Sequence, residues 1–213
     1  MNACRPDRGT RRRQVLGQFA AWAAWPVARG SLAGTGIGTA WAGAPAASPS
    51  LPAEVNAAGG LRPLGGLRFR YWGFHVYDAQ LYVGTAFDAA RAPAQRLALS
   101  LTYARAFRAL DIVDRSLQEI DRQAPPDAGQ SPRWRALLSA VLVDVQAGDR
   151  LTGIHDPGRQ VCARFFHNGR PTGELNDGVL AERFFGIWLS PLSSQPAMRR
   201  TLLGLDGHAG LAP

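Results

Sequence analysis

Between Gly65 and Gly84, arginines, tyrosines and a histidine alternate with apolar residues at strand spacing, and Trp72-Gly73 interrupts them near the middle. A chain with polar chemistry inside a core-forming element has few ways to fold around it, and a hairpin is the simplest. If the loop is the two residues Trp72 and Gly73, the pairing is fixed: Tyr71 faces Phe74, Arg70 faces His75 and Arg68 faces Tyr77. Directly opposed residues share a face of the sheet. Arg68, Arg70, His75 and Tyr77 then form one polar patch, continued by Ala79, Leu81 and Val83, while Phe69, Tyr71, Phe74 and Val76 cover the other side. Gly73 suits a turn position with positive φ. Trp72 stands where Asn or Asp is usual, so a longer or bulged loop would shift the pairing.

The remaining elements follow from periodicity. Arg96 to Tyr103 alternates as a half-buried strand, with Leu97, Leu99, Leu101 and Tyr103 on its inward face. Tyr103 is either a core tyrosine or a third member of a ligand site. Ala109 to Arg122 places Leu110, Val113, Leu117 and Ile120 at helical spacing, with Asp111, Asp114 and Arg115 on a solvated face. After a Pro-Gly breaker, Ser131-Pro132 opens a helix through Trp134, Leu138 and Val141. Strands are expected at Arg150 to His155, Gln160 to His167 and Arg170 to Leu175, the last two joined by Asn168-Gly169. Asp177 caps a helix from Val179 to Leu189, and a final helix runs from Gln195 to Leu203. Strands joined largely by hairpins, with helices inserted in blocks, argue for an α+β fold: an antiparallel sheet with helices packed on one face.

Charge and composition narrow the class. The formal charge is +8, yet every basic residue is Arg and six of them lie in the first 42 residues. From residue 43 onward 18 Arg stand against 15 Asp and Glu, an ordinary balance that argues against a nucleic-acid partner. The early arginines belong to a targeting pattern. Arg11-Arg12-Arg13-Gln14-Val15-Leu16 resembles a twin-arginine export signal, and a short apolar region from Phe19 to Ala28 follows it. Ala40-Trp41-Ala42 offers an A-x-A cleavage site, with Ser31-Leu32-Ala33 in competition. Pro26 and Arg29 break the apolar run well short of the roughly 20 residues a spanning helix needs. The expected organisation is an export signal over 1–42, a disordered Pro/Ala/Ser/Gly lead-in over 43–60, a domain over 61–205 and a tail over 206–213, with periplasmic delivery and no membrane span in the mature chain.

Cofactor chemistry has no foothold. His75, His155, His167 and His208 lack ligand spacing, so no metal is expected, and Cys162 reads as a small buried apolar residue. The Gly-rich run at 34–38 lies inside the export segment and is no nucleotide loop. An arginine on a core face needs a partner. For Arg68 and Arg70 that partner is either Asp78, or solvent, or an anion brought by a ligand.

Several runs, taken in order, carry a resemblance: Val76-Tyr77-Asp78-Ala79-Gln80-Leu81-Tyr82, Leu101-Thr102-Tyr103-Ala104, Gly148 to Gly153, Phe166-His167-Asn168-Gly169, Gly173-Glu174 and Phe184 to Pro191. Together they resemble the bacterial chalcone isomerase-like family over residues 61–205. The resemblance implies an open-faced sheet with helices over an apolar cleft. In plant chalcone isomerases an Arg after a Gly-rich turn and a Thr on the next strand bracket the substrate, and a later Tyr completes the site. Arg68, after Gly65-Gly66-Leu67, takes the place of that Arg, and Tyr77 replaces the Thr. The fatty-acid-binding relatives carry a Tyr there, where Arg and Tyr hold a carboxylate head. The later Tyr has no secure counterpart, since Phe107 and Leu110 fall in that region.

The expectation is therefore a small amphipathic carboxylate ligand such as a fatty acid, held by Arg68 and Tyr77 with Tyr103 and Arg70 nearby, without catalysis or cofactor. An intramolecular lyase or isomerase acting on an enone is the alternative. A third reading, a partner-binding domain with a closed cleft, predicts Trp72 or Phe74 filling the cavity.

Overall fold

A computed structural model describes residues 51–207 except Pro126 and Ala128. The export-type segment, residues 43–50 of the lead-in and the tail from His208 lie outside the described residues.

Six strands form one antiparallel sheet in chain order: β1 (Arg62–Tyr71), β2 (Phe74–Val83), β3 (Leu97–Tyr103), β4 (Arg150–His155), β5 (Ala163–His167) and β6 (Arg170–Leu175). Two of the turns share one geometry. Trp72-Gly73 has φ of 52° and 80°, and Asn168-Gly169 has 51° and 81°, both in the left-handed region that a two-residue hairpin of matching twist requires. Asn-Gly is the favoured sequence for it, whereas Trp72 adopts it against steric preference.

Helices α2 (Ala109–Gln123), α3 (Gln130–Val141), α4 (Gly178–Leu189) and α5 (Pro196–Leu202) cover the inner face. Alternation in the strands explains why: Ala79, Leu81 and Val83 of β2, Leu97, Leu99 and Leu101 of β3, and Phe165 of β5 all point to that side, against Val113, Leu138, Phe184, Phe185 and Leu202. Asp177 caps α4, its Oδ1 accepting from the Leu180 N–H at 3.0 Å, and its other oxygen accepts from the Trp134 indole of α3 at 3.3 Å. Gly153 of β4 lies under the ring of Phe185; a Cβ there would come within 2.9 Å of it.

Three expectations are corrected. The described part of the lead-in is not disordered: Ala53–Ala58 forms a short helix, α1, on the outer face of the sheet. Its Val55, with Leu61, packs on Tyr82, Ala98 and Ile154 in a second small core. Glu54 is buried there too, accepting from the Thr152 hydroxyl at 2.7 Å and pairing with Arg150 at 3.3 Å. Arg96 ties down the end of α1 through the carbonyls of Ala58 and Gly59. Because α1 covers that side, β3 is not half-buried, and Ala98 and Ser100 are as enclosed as their inward neighbours. Finally, Asp206 does not begin a free tail, since it binds Arg200 and Thr201.

Candidate functional site

The decisive local feature is a β-bulge. Arg70 faces His75 and Tyr71 faces Phe74 as the two-residue loop dictates, but Phe69 then faces Tyr77 and Arg68 faces Asp78, with Val76 as the extra residue between. The expected pairing of Arg68 with Tyr77 is therefore wrong by one position, and one position exchanges faces. Gly65-Gly66 is likewise not a turn but the interior of β1, where the backbone of α5 comes close: a Cβ on Gly65 would sit 2.3 Å from the carbonyl oxygen of Leu202.

Beyond the bulge, Arg68 is on the outer face and more than half exposed. Its Nε donates to Asp78 Oδ1 at 2.9 Å, and His75 Nε2 approaches the same oxygen at 3.1 Å. The Arg68 hydrogen bond holds the Asp78 carboxyl below the usual range. Arg70 reaches back to the Gly73 carbonyl at 3.3 Å. Neither arginine joins Tyr77.

Tyr77 turns inward and is joined by Tyr103, its direct neighbour on β3. The two rings meet edge to face at 6.0 Å, Phe69 stacks on Tyr77 at 5.0 Å, and Phe107 lies 5.6 Å from Tyr103. The roof comes from the helices. Trp188 of α4 donates its indole N–H to the Tyr77 hydroxyl at 3.1 Å, and that hydroxyl directs its own proton to Met198 Sδ of α5 at 3.7 Å. On α2, Glu119 is buried and paired with Arg115 one turn earlier. Burial pushes both phenols well above their ordinary pKa; for Tyr77 the Trp188 hydrogen bond and then Arg115 oppose this, while Glu119 adds to it. Burial thus favours the neutral form of both phenols, and the Tyr77 hydroxyl donates to Met198 Sδ.

Of the four expected ligand residues, the structure brings Tyr77 and Tyr103 together and sends Arg68 and Arg70 to the other side of the sheet. Sequence reasoning missed Arg115, Glu119, Trp188 and Met198. A signal existed on α2: Ser116 and Glu119, three apart, fall beside Val113, Leu117 and Ile120, so the apolar stripe was already carrying polar groups. A separate open pocket of about 240 Å³, lined by Pro93, Gln123, Val179, Glu182, Arg183 and Ser190, shares none of these residues and has a polar wall. Among the described residues no three His, Cys, Asp or Glu side chains are grouped to hold a metal, and no helix is long and apolar enough to cross a membrane. Cys162 is a buried free thiol.

A protein-family model described as chalcone isomerase-like matches residues 51–204. No curated protein matches the sequence. Among solved structures, a fatty-acid binding protein of Arabidopsis thaliana is similar, with 13% sequence identity and a TM-score of 0.49, over 68% of this chain and 87% of that one.

Proposed function

The chain belongs to the chalcone isomerase-like family, and we propose that it binds a small amphipathic carboxylate, such as a fatty acid, between the sheet and its helices without transforming it. One observation carries the reading: the hydroxyl of the half-buried Tyr77 donates its proton to a thioether, a weak acceptor. A carboxylate is a far better one, and a hydrogen bond to a charged group is worth about 1.5–3 kcal/mol. Tyr103 lies beside it as a second phenol, and the Arg115–Glu119 ion pair of α2 acts electrostatically on Tyr77. Phe69, Phe107 and Trp188 provide apolar walls for an alkyl chain. Delivery to the periplasm by the twin-arginine-type segment belongs to the same proposal and is tested by fractionating cells that express the chain with Arg11 to Arg13 intact or replaced.

Native mass spectrometry of the protein purified from its host, followed by titration with palmitate, tests the binding. Tyr77→Phe is expected to weaken palmitate about tenfold or more by removing the charge-assisted donor. Arg68→Ala should leave affinity unchanged, because its side chain lies on the outer face. An equal loss in both variants, or a wild-type protein without acyl affinity, overturns the proposal. Turnover of naringenin chalcone that falls in Tyr77→Phe would make the same cluster an isomerase site.

A further inference from the structure

The tip of the β1–β2 hairpin presents its apolar side chains to solvent. Trp72 is 78% exposed and Phe74 63%, so neither fills a cleft. Trp72 lies 6.4 Å from the Tyr71 ring, and the Arg105 guanidinium sits 5.4 Å above the Phe74 ring. Trp72 also holds a left-handed backbone conformation that Asn168 adopts with ease in the equivalent turn. A bulky aromatic that is both strained and exposed does nothing for the folded chain that Asn would not do better, which places its value outside the chain.

The surroundings say what kind of surface it meets. Arg68 and Arg70 flank the tip on β1, and Arg105 joins them from the β3–α2 connection, which the Ala104 N–H holds against the Val76 carbonyl at 2.9 Å. Against these three cations stands Asp78, already paired with Arg68. The loop is only two residues long and its aromatic side chains stand in solvent, so it suits a yielding surface more than a preformed socket. Tryptophan favours the bilayer interface, where an amphipathic ring sits at headgroup depth, and arginines above it pair with lipid phosphates.

We propose that this hairpin tip docks the protein on an anionic bilayer, with Trp72 and Phe74 entering the interface and Arg70 and Arg105 on the phosphates. The inference does not rest on the fatty-acid reading: a chain with no acyl affinity that still binds vesicles would refute that reading and keep this one.

The test is co-sedimentation of the full chain with vesicles of phosphatidylglycerol and phosphatidylethanolamine, compared with phosphatidylcholine alone. Residues 1–50 are common to every variant, so the readout is the difference between variants. Trp72→Asn retains the turn and is expected to melt no lower than wild type, while its partition to the anionic vesicles falls about tenfold with the loss of one buried aromatic. Arg70→Ser and Arg105→Ser should each lower partition about fivefold on anionic vesicles alone, with the effect fading in salt. Equal sedimentation of wild type and Trp72→Asn overturns the proposal. So does a concentration-dependent self-association abolished by Trp72→Asn without vesicle binding, which would make the tip an interface between copies.

Discussion

Val76 decides which side of the sheet each neighbour serves. Without the extra residue Arg68 would stand beside Tyr77; with it, Arg68 joins Asp78 and His75 on the outer face, and Tyr77 goes in with Phe69. Alternation made the polar residues of this hairpin easy to find, but nothing in the order Phe74-His75-Val76-Tyr77 announces a bulge, because any residue of a strand can be the unpaired one. The Asp78 carboxyl, held low by Arg68, gives a pH prediction. Its folded pKa lies below the unfolded value of about 3.9, so its contribution is present above that value and is lost as pH falls through the folded one. Asp78→Asn should lower the melting temperature modestly at pH 7 and leave it unchanged at the acid end, well below the unfolded pKa, so that the acid limb of the profile flattens. An unaltered acid limb would show that the Arg68 contact contributes nothing.

Elements were legible where a period or a turn sequence marked them. Asn168-Gly169 fixed the β5–β6 hairpin, β4 and β6 fall where alternation and turns put them, and the 3.6 pattern found α2. The helix α1 was missed because Ala-Glu-Val-Asn-Ala-Ala is too short to show a period, and Pro and Gly around it suggest disorder. It forms because the outer face of β2, β3 and β4 offers Tyr82, Ala98 and Ile154 to Val55, and Thr152 and Arg150 to Glu54. The glycine pair in β1 was misread for a related reason: its need for glycine comes from α5, distant in sequence. Gly65→Ala must move the Leu202 backbone away, and is expected to destabilise the fold by about 1–3 kcal/mol in chemical denaturation. A neutral Gly65→Ala would mean that α5 is not seated firmly on β1.

At the scale of the whole molecule, the layered α+β arrangement was readable and its lower cover was not. The sheet therefore has two unequal faces: a thick one under α2 to α5, where the tyrosine cluster lies, and a thin one under α1. A chain beginning at Leu61, where the sequence places the domain start, lacks Glu54 and Val55 and uncovers Tyr82, Ala98 and Ile154. It should lose about 2–3 kcal/mol of unfolding free energy, the scale of one buried aliphatic side chain with its neighbours' cover. A shortened chain as stable as the full one would show α1 to be ornamental.

Strand order equal to chain order also bears on how the sheet is assembled as the chain is made. Each strand pairs with the one before it, so no earlier pair has to part to admit a later strand. A nascent chain that has emerged through His155 already holds β1 to β4 in their final neighbourhood, and β5 and β6 add as a ready-made hairpin at the open edge of β4. Synthesis from the N-terminus thus meets the sheet in the order in which it is built.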